Sequence, residues 1–156
     1  MESNLYFPIF IPIENKKVVI YGGGKIAVRR VKTLLEFGAN ITVIAPTVEE
    51  ELQCEKRIVW KKDSYKEGSI ESDVFCVIAI TDDSNVNETI YKECKAKNIM
   101  VNNASNKEQC DFLFPAIIKE GQVVAGLTAS GTNHKLVRKV ASRLREIFGQ
   151  IIEESE

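Results

Sequence analysis

Three consecutive glycines constrain this chain more than any other feature of its sequence. They form the stretch Gly22-Gly-Gly24, which follows the apolar run Val18-Val-Ile20 and precedes an amphipathic pattern over Lys25–Phe37. Glycine adopts backbone angles and accepts close contacts that a Cβ forbids. The β-branched run predicts a buried strand, and the pattern after the glycines predicts a helix. The sequence therefore predicts a strand, a tight glycine turn and a helix in direct succession.

The spacing of the small residues indicates what such a turn could hold. Gly22-x-Gly24-x-x-Ala27 has the form of a dinucleotide fingerprint, which requires this strand–turn–helix context. Gly22 would permit the tight turn, Gly24 would let a pyrophosphate approach the backbone, and Ala27 would let the helix pack closely. The helix N-terminus would then face the phosphates with free N–H groups. The alternative is a glycine-rich turn that binds nothing.

Strand and helix patterns alternate up to about residue 102. Strands are predicted over Lys17–Tyr21, Asn40–Ala45, Arg57–Lys61, Ser72–Ile80 and Ile99–Asn102, and helical segments over Lys25–Phe37, Thr47–Cys54 and Asp82–Lys97. Such alternation is typical of an α/β fold with a parallel sheet. The fold class predicted is a Rossmann-type doubly wound sheet, which favours the binding interpretation of the glycine turn.

The pattern changes after this sheet. Phe112–Lys119 and Gln122–Ala129 are strand-like and joined at Glu120-Gly121, as in a β-hairpin, and an amphipathic helix follows from about Asn133. The apolar residues of this helix are predicted to fall on one stripe, which consists of Leu136, Val137, Val140, Ala141, Leu144, Ile147 and Phe148. We therefore predict an NAD-binding domain over residues 1–111 and a dimerisation segment over residues 112–156. A hairpin and one helix are too small to form a core, so their apolar faces must meet the sheet domain or a second copy. We favour the second copy, hence a homodimer.

Composition excludes several classes of function. The formal net charge of −1 gives no electrostatic basis for binding nucleic acid. No apolar run approaches the roughly 20 residues that a membrane helix needs, so we expect no membrane partner. Four widely separated cysteines and one histidine offer no metal site. Unpaired thiols of this kind are typical of a cytoplasmic protein.

The end of the second strand bears on the choice of cofactor. Rossmann-type domains commonly carry an acidic residue there for a ribose hydroxyl, or an arginine nearby for a 2′-phosphate. Here Ile44 is followed by Ala45-Pro46-Thr47, with neither. Backbone groups and Thr47 would meet the ribose instead. Because no cation stands nearby for a 2′-phosphate, we expect NAD rather than NADP.

Several segments along the chain together form a recognisable pattern. They are Phe7-Pro-Ile-Phe-Ile-Pro-Ile13, Lys17-Val-Val-Ile-Tyr-Gly-Gly-Gly-Lys-Ile-Ala27, Thr33-Leu-Leu-Glu-Phe-Gly-Ala-Asn-Ile-Thr-Val-Ile-Ala-Pro46, Ala79-Ile-Thr-Asp-Asp83, Asn85-Val-Asn87, Val101-Asn102, Phe112-Leu-Phe-Pro-Ala-Ile-Ile118 and Ser130-Gly-Thr132 with Leu136-Val-Arg138. Taken together, these segments resemble the precorrin-2 dehydrogenase family, the NAD-dependent part of sirohaem synthases. The resemblance covers nearly the whole chain.

The resemblance implies a reaction and a set of site residues. Family members oxidise precorrin-2 to sirohydrochlorin with NAD⁺ in sirohaem biosynthesis, some also insert Fe(II) or Co(II), and they are homodimers. Carried over by motif, the residues expected to contact the cofactor are Gly22, Gly24, Lys25, Ile26, Pro46, Thr47, Thr81 and Asn102. The residues expected to contact the tetrapyrrole are Asn102, Ser130, Thr132 and Arg138.

The sequence departs from the family pattern at the positions that concern catalysis. Ser105 stands where many members carry an aspartate, three residues after Asn102, and a serine hydroxyl is a far weaker general base. Asp111 is one of the nearest acids, and His134 replaces a family proline. Ser105, Asp111 and His134 are therefore the candidate catalytic residues. The family's small helical third domain is expected to be absent.

These departures leave two functional hypotheses open. Hydride transfer needs cofactor and macrocycle held face to face, whereas metal insertion also needs pyrrole protons removed and a place for the ion. We therefore expect dehydrogenation, with chelatase activity disfavoured. The alternative is a catalytically weakened NAD(H)-binding regulatory or assembly subunit of a tetrapyrrole pathway, in which Ser105 marks the loss of activity.

Overall fold

A computed structural model describes residues 6–130 and 132–155 of the protein. The chain divides into two compact units, of which the larger is Ile11–Phe112 and the other consists mainly of the chain from Leu113 onward. The assignment of separate functions to residues 1–111 and 112–156 stays a prediction. Residues 1–5, 131 and 156 of these ranges lie outside the described part of the chain.

The larger unit is a five-stranded sheet in which every pair of neighbouring strands is parallel, in the order β3-β2-β1-β4-β5. The strands are β1 Lys17–Tyr21, β2 Asn40–Ile44, β3 Ile58–Lys61, β4 Cys76–Ala79 and β5 Met100–Asn103. The helices between them are α1 Lys25–Glu36, α2 Glu50–Gln53 and α3 Ser84–Ala96, and a short 3-10 helix spans Lys107–Gln109. This order is that of a Rossmann-type sheet, and the predicted fold class is confirmed.

The core of this unit lies on both faces of the sheet. Val19 and Tyr21 of β1 pack in one buried cluster with Ile90 and Cys94 of α3. Side chains alternate along a strand, and the intervening Val18 and Ile20 are also buried, so the opposite face is covered too. Continuous apolar strands are expected in a parallel sheet of this kind.

The connection from β3 to β4 contains no helix. Residues 62–75, here called the 62–75 loop, are tied to α3 through the carboxylate of Glu93. This carboxylate accepts hydrogen bonds from the Tyr65 hydroxyl and from the backbone N–H groups of Gly68 and Ile70. Lys97 pairs with Glu93 from one turn further along α3. Irregular backbone thus covers a part of the sheet where a crossover helix is usual.

Two predicted elements of the larger unit begin three or more residues later in the structure. Helix α2 begins at Glu50 instead of Thr47, because Thr47 and Val48 lie against the glycine turn and the Glu49 N–H donates to the carbonyl oxygen of Gly23. Strand β4 begins at Cys76 instead of Ser72, since residues 72 and 73 form a turn in which the Val74 N–H donates to the Glu71 carbonyl oxygen.

The smaller unit contains an antiparallel hairpin and a long helix. The hairpin consists of β6 Ala116–Glu120 and β7 Val123–Leu127, and the long helix α4 spans His134–Glu153. Helix α4 packs on β6, and Arg145 donates to the carbonyl oxygen of Ile117. The hairpin and the helix were both predicted.

The apolar residues of α4 form two stripes and not one. The inner stripe is buried or half-buried and consists of Val137, Ala141, Leu144, Phe148 and Ile152. The outer stripe is 41–52% exposed and consists of Leu136, Val140, Ile147 and Ile151. One helix face therefore carries more apolar surface than the described part of this unit covers.

Candidate functional site

The first glycine of the turn is required by the protein's own backbone. Gly22 has φ of +119°, which is unfavourable for residues with a side chain. A Cβ at Gly22 would lie 2.4 Å from the carbonyl oxygen of Ile80, at the end of β4. The Gly22 N–H continues the hydrogen bonds between β1 and β2 by donating to the Ile44 carbonyl oxygen at 3.1 Å. The glycine turn is thus pressed against the carboxyl end of β4.

The second glycine is also required by packing, but the third is not. A Cβ at Gly23 would lie 2.4 Å from the carbonyl oxygen of Thr47. A Cβ at Gly24 would meet no atom of residues 6–130 and 132–155 within 4 Å, and its φ of −82° is accessible to any residue. The space over Gly24 is therefore open to a ligand, and the protein does not itself need glycine there.

Helix α1 presents its N-terminus to the same open space. Gly24 is the N-cap and gives no side-chain hydrogen bond, and the first turn carries no acidic residue. The first N–H groups of a helix have no partner within the helix and carry partial positive charge. Lys25 and Ile26 in this turn are exposed. These features fit a pyrophosphate group resting on the backbone at Gly24.

The other predicted cofactor residues stand beside this turn. Pro46 and Thr47 are exposed after β2, and Thr47 lies against Gly23. Thr81 follows Ile80, the residue after β4 whose carbonyl oxygen lies against Gly22. The structure thus brings Thr47 and Thr81 to the carboxyl edge of the sheet where ligands bind in open α/β folds. Their contacts with a nucleotide stay predictions.

A buried amide connects the ends of β4 and β5. The side chain of Asn87, on α3, has a residue exposure of 0%. Its Oδ1 accepts from the Thr81 N–H at 3.0 Å and lies 2.8 Å from the Thr81 hydroxyl oxygen. Its Nδ2 donates to the Thr81 carbonyl oxygen at 3.1 Å and to the Ser105 Oγ at 2.6 Å. Thr81 and Ser105 are therefore held by one side chain.

The turn that carries Ser105 is fixed by Asn103. The Asn103 Oδ1 accepts from the Ser105 N–H at 2.9 Å, and its Nδ2 donates to the Gln109 Oε1 at 2.7 Å. The Ala104 N–H donates to the Ala79 carbonyl oxygen at 3.0 Å, which ties this turn to β4. Ser105 itself remains exposed.

Asn102 and Asp111 are engaged within the protein. The Nδ2 of Asn102 donates to the Phe112 carbonyl oxygen at 2.8 Å. Asp111 accepts from the Val101 N–H at 3.0 Å and pairs with Lys95 at 2.7 Å. Both side chains thus hold the segment after β5 against that strand. A catalytic role for Asp111 stays a prediction, and these bonds give it a structural task.

The remaining predicted residues belong to the smaller unit. Ser130 has φ of +52°, and its N–H donates to the Thr128 Oγ1 at 3.1 Å. Thr132 donates from both its N–H and its hydroxyl to the Ala129 carbonyl oxygen. His134 is the first residue of α4, and Arg138 lies one turn later, both exposed. Their roles toward a substrate stay predictions.

Cysteine and metal chemistry have little support in the structure. All four cysteines are free, and burial raises the pKa of the Cys76 and Cys94 thiols to about 12, so both stay protonated at neutral pH. Within residues 6–130 and 132–155, no group of three or more His, Cys, Asp or Glu side chains is placed to hold a metal ion.

Three residues of this site were not selected from the sequence. Gly23 was read only as part of a glycine run, and its contact with Thr47 depends on a loop placed by the fold. Asn87 lay in a segment with a family resemblance and Asn103 directly after one, but neither was given a role. A buried asparagine on an amphipathic helix, such as Asn87 beside Ile90, is the signal that sequence reasoning could have used, because such a group needs hydrogen-bond partners.

The fold and the site together define an α/β dinucleotide-binding protein. A family described as putative NAD(P)-binding matches residues 9–116, and the chain belongs to this family. The predicted NAD-type cofactor is confirmed at the level of this family. Within the described ranges, none of the helices combines the length and the apolar character that crossing a bilayer requires.

Two curated relatives of similar sequence belong to siroheme biosynthesis. The chain is 44% identical over 146 residues to the probable multifunctional siroheme biosynthesis protein HemA of Ruminiclostridium josui, a match covering 90% of this chain and 28% of that protein. It is 36% identical over 148 residues to the siroheme synthase of Nitrosococcus oceani, covering 93% and 31% respectively. The chain thus spans less than a third of the length of these relatives.

A solved structure matches over almost the whole chain. It is that of SirC, a precorrin-2 dehydrogenase, with a TM-score of 0.75 and 26% sequence identity. The match covers 95% of this chain and 76% of that one. The predicted resemblance to this family is therefore confirmed, and with it the combination of a parallel sheet, a hairpin and a helix.

Proposed function

We propose that this protein is an NAD-dependent dehydrogenase that oxidises precorrin-2 to sirohydrochlorin in sirohaem biosynthesis. Its similarity to siroheme synthases and to a precorrin-2 dehydrogenase supports this reaction. The observation that carries the proposal is the open space over Gly24 at the uncapped start of α1. A glycine there has no internal purpose, so the space is best explained by a diphosphate.

The residues at the carboxyl edge of the sheet would orient the reactants. NAD⁺ supplies the acceptor for the hydride that leaves a C–H bond of the macrocycle, and one proton is released with it. Thr81, held by Asn87, would flank the nucleotide, and the exposed hydroxyl of Ser105 would meet the macrocycle. Solvent would take the proton, since Ser105 is a weak base.

We propose NAD, in preference to NADP, as the natural cofactor. After β2 the exposed residues are Pro46 and Thr47, which offer no positive charge to a 2′-phosphate. A phosphate placed there gains no charge-assisted hydrogen bond from this segment, and the cation beside it is Lys61, which ends the neighbouring β3 in register with Ile44. We therefore expect turnover with NAD⁺ to exceed turnover with NADP⁺ at equal concentration.

We further propose that the protein acts as a homodimer formed through the smaller unit. The outer stripe of α4, Leu136, Val140, Ile147 and Ile151, supports a self-complementary contact, because burying it against a second copy would remove apolar surface from water. A dimer of this kind agrees with the small size of the hairpin-and-helix unit.

The direct test is an anaerobic assay of purified protein with precorrin-2 and either NAD⁺ or NADP⁺, followed by absorbance of both macrocycle and reduced nicotinamide. We expect conversion with stoichiometric NADH formation. Unchanged precorrin-2 absorbance, in a preparation where a verified homologue is active, would reject the dehydrogenase. Nucleotide binding without macrocycle binding would instead favour the regulatory subunit, the alternative suggested by Ser105 in place of the family aspartate. Incubation of sirohydrochlorin with Fe(II) or Co(II) tests the disfavoured chelatase activity separately.

A further inference from the structure

The hydrogen bonds of Asn87 fix which way its amide is oriented. A backbone N–H can only donate and a backbone carbonyl can only accept. Since the Thr81 N–H meets Oδ1 and the Thr81 carbonyl oxygen meets Nδ2, the two ends of the amide cannot be exchanged. The bond from Nδ2 to the Ser105 Oγ, at 2.6 Å, is therefore directional, and the serine oxygen is its acceptor.

This direction determines what Ser105 can offer to a ligand. One of the two lone pairs of its oxygen accepts from the amide of Asn87, and in the described part of the chain its hydroxyl proton is donated to no protein acceptor. A hydroxyl has one proton to donate, so this proton is free for a group in the crevice. Because the bond from Asn87 orients the hydroxyl and the remaining lone pair is only weakly basic, a hydroxyl held in this way is better suited to donate than to act as a base.

We propose that Asn87 is a positioning residue that sets Ser105 as a hydrogen-bond donor, and that the ligand atom facing Ser105 is therefore an acceptor such as a carboxylate oxygen. This inference rests on the proposed function, because it assumes that the macrocycle occupies the crevice at the ends of β4 and β5. The same amide holds Thr81, so one buried side chain aligns the two strand ends.

The central test is a double-mutant cycle with Asn87→Asp and Ser105→Ala. Asn87→Asp keeps the side-chain shape and the oxygen for Thr81, but the second oxygen cannot donate, and the Ser105 hydroxyl would turn inward to it. We expect each single variant to lower kcat for precorrin-2 by at least about 10-fold. The double variant should have a kcat no lower than that of the less active single variant. Asn85→Asp, with the same change at an exposed position of α3, is the matched control and should keep wild-type kcat.

Two changes at Ser105 keep the inference testable if Asn87→Asp does not fold. Ser105→Thr retains a hydroxyl and should recover most of the rate that Ser105→Ala loses. Ser105→Asp can still accept from Asn87 but has no proton to donate at neutral pH, so it should be slow. A gain of activity in Ser105→Asp, equal rates in Ser105→Thr and Ser105→Ala, or losses that multiply in the cycle would each overturn the inference.

A binding measurement separates this inference from the proposed reaction. The dissociation constant for sirohydrochlorin with NADH present is measured by fluorescence in the same variants. If the wild type turns over but the variants lack the expected pattern, only the inference fails. If the wild type binds the macrocycle and the variants change its affinity in the expected pattern, but no turnover occurs, only the proposed dehydrogenase activity fails. A wild type that neither turns over nor binds overturns both.

Discussion

The three glycines of the turn have different reasons for being glycine. Gly22 needs its positive φ and its closeness to Ile80, and Gly23 needs its closeness to Thr47. Gly24 has neither constraint. The fold does not need glycine at position 24, but a phosphate bound at the start of an uncapped helix would need the space that glycine leaves there.

The first prediction concerns Gly24 and Gly22. Gly24→Ala should leave the melting temperature unchanged and weaken NADH binding at least about 10-fold, because the methyl group occupies the space of the pyrophosphate. Gly22→Ala should instead destabilise the fold by about 3 kcal/mol or more, through strain and a backbone clash. NADH fluorescence titration and thermal unfolding measure the two effects.

The control for this pair is Gly149→Ala, in α4, where a Cβ also meets no atom within 4 Å. It should raise stability, since alanine favours a helix interior by about 1 kcal/mol, and leave NADH affinity unchanged. Equal NADH affinity in the wild type and in Gly24→Ala would show that no pyrophosphate lies on this turn.

At the scale of elements, the 62–75 loop depends on one carboxylate of α3. The side chain of Glu93 is only 7% exposed. Burial opposes its ionisation, but the bonds from Lys97, Tyr65 and the N–H groups of Ile70 and Gly68 outweigh this and lower its pKa. The ionised group therefore replaces, by hydrogen bonds, the packing that a crossover helix would supply.

The second prediction follows from this pKa. Because folding lowers it, the ionised Glu93 stabilises the fold above the pKa of glutamate in the unfolded chain, about 4.3, and this contribution is lost as pH falls through the lower folded value. Glu93→Gln should reduce the free energy of unfolding at pH 7 by about 1–3 kcal/mol. The variant's free energy of unfolding should also decline less steeply than that of the wild type as pH falls below about 4.3. Urea unfolding at several pH values measures both.

Glu88→Gln provides the comparison for Glu93→Gln on the same helix. Glu88 forms an exposed pair with Lys92 one turn away, which is worth at most about 0.5 kcal/mol. A loss of stability in Glu93→Gln no larger than in Glu88→Gln would mean that the carboxylate does not anchor the loop.

Sequence patterns predicted elements better than the contacts between them. The strands around Val18–Ile20 and Val77–Ala79 were readable because a buried parallel strand is apolar throughout. The start of α2 was not, since Thr47 and Val48 take a non-helical path that the distant glycine turn imposes. In the same way, residue type alone does not show that Asn87 faces Ser105, 18 positions away.

At the scale of the whole molecule, the outer stripe of α4 is an apolar surface that the described part of the smaller unit leaves uncovered. The sequence predicted one apolar stripe, because periodicity cannot separate residues that face the hairpin from those that face outward. The structure separates them: Ala141 is buried and Val140 is 41% exposed. Neighbouring positions on one helix therefore serve different contacts.

The third prediction concerns assembly. The wild type should elute with twice the 17.5 kDa mass of one chain in size-exclusion chromatography with light scattering. Val140→Glu should shift it to the monomer, because a buried unpaired carboxylate opposes the contact. Ser142→Glu, which adds the same group at an exposed position outside the stripe, should remain dimeric. A monomeric wild type, or a dimeric Val140→Glu, would contradict this surface as the interface.

The unconstrained backbone at Gly24 also offers a genetic tool. A single codon change there should produce a protein that accumulates, folds and assembles normally but binds NAD only weakly. Cells carrying such an allele would distinguish phenotypes that depend on NAD binding from phenotypes due to a missing polypeptide.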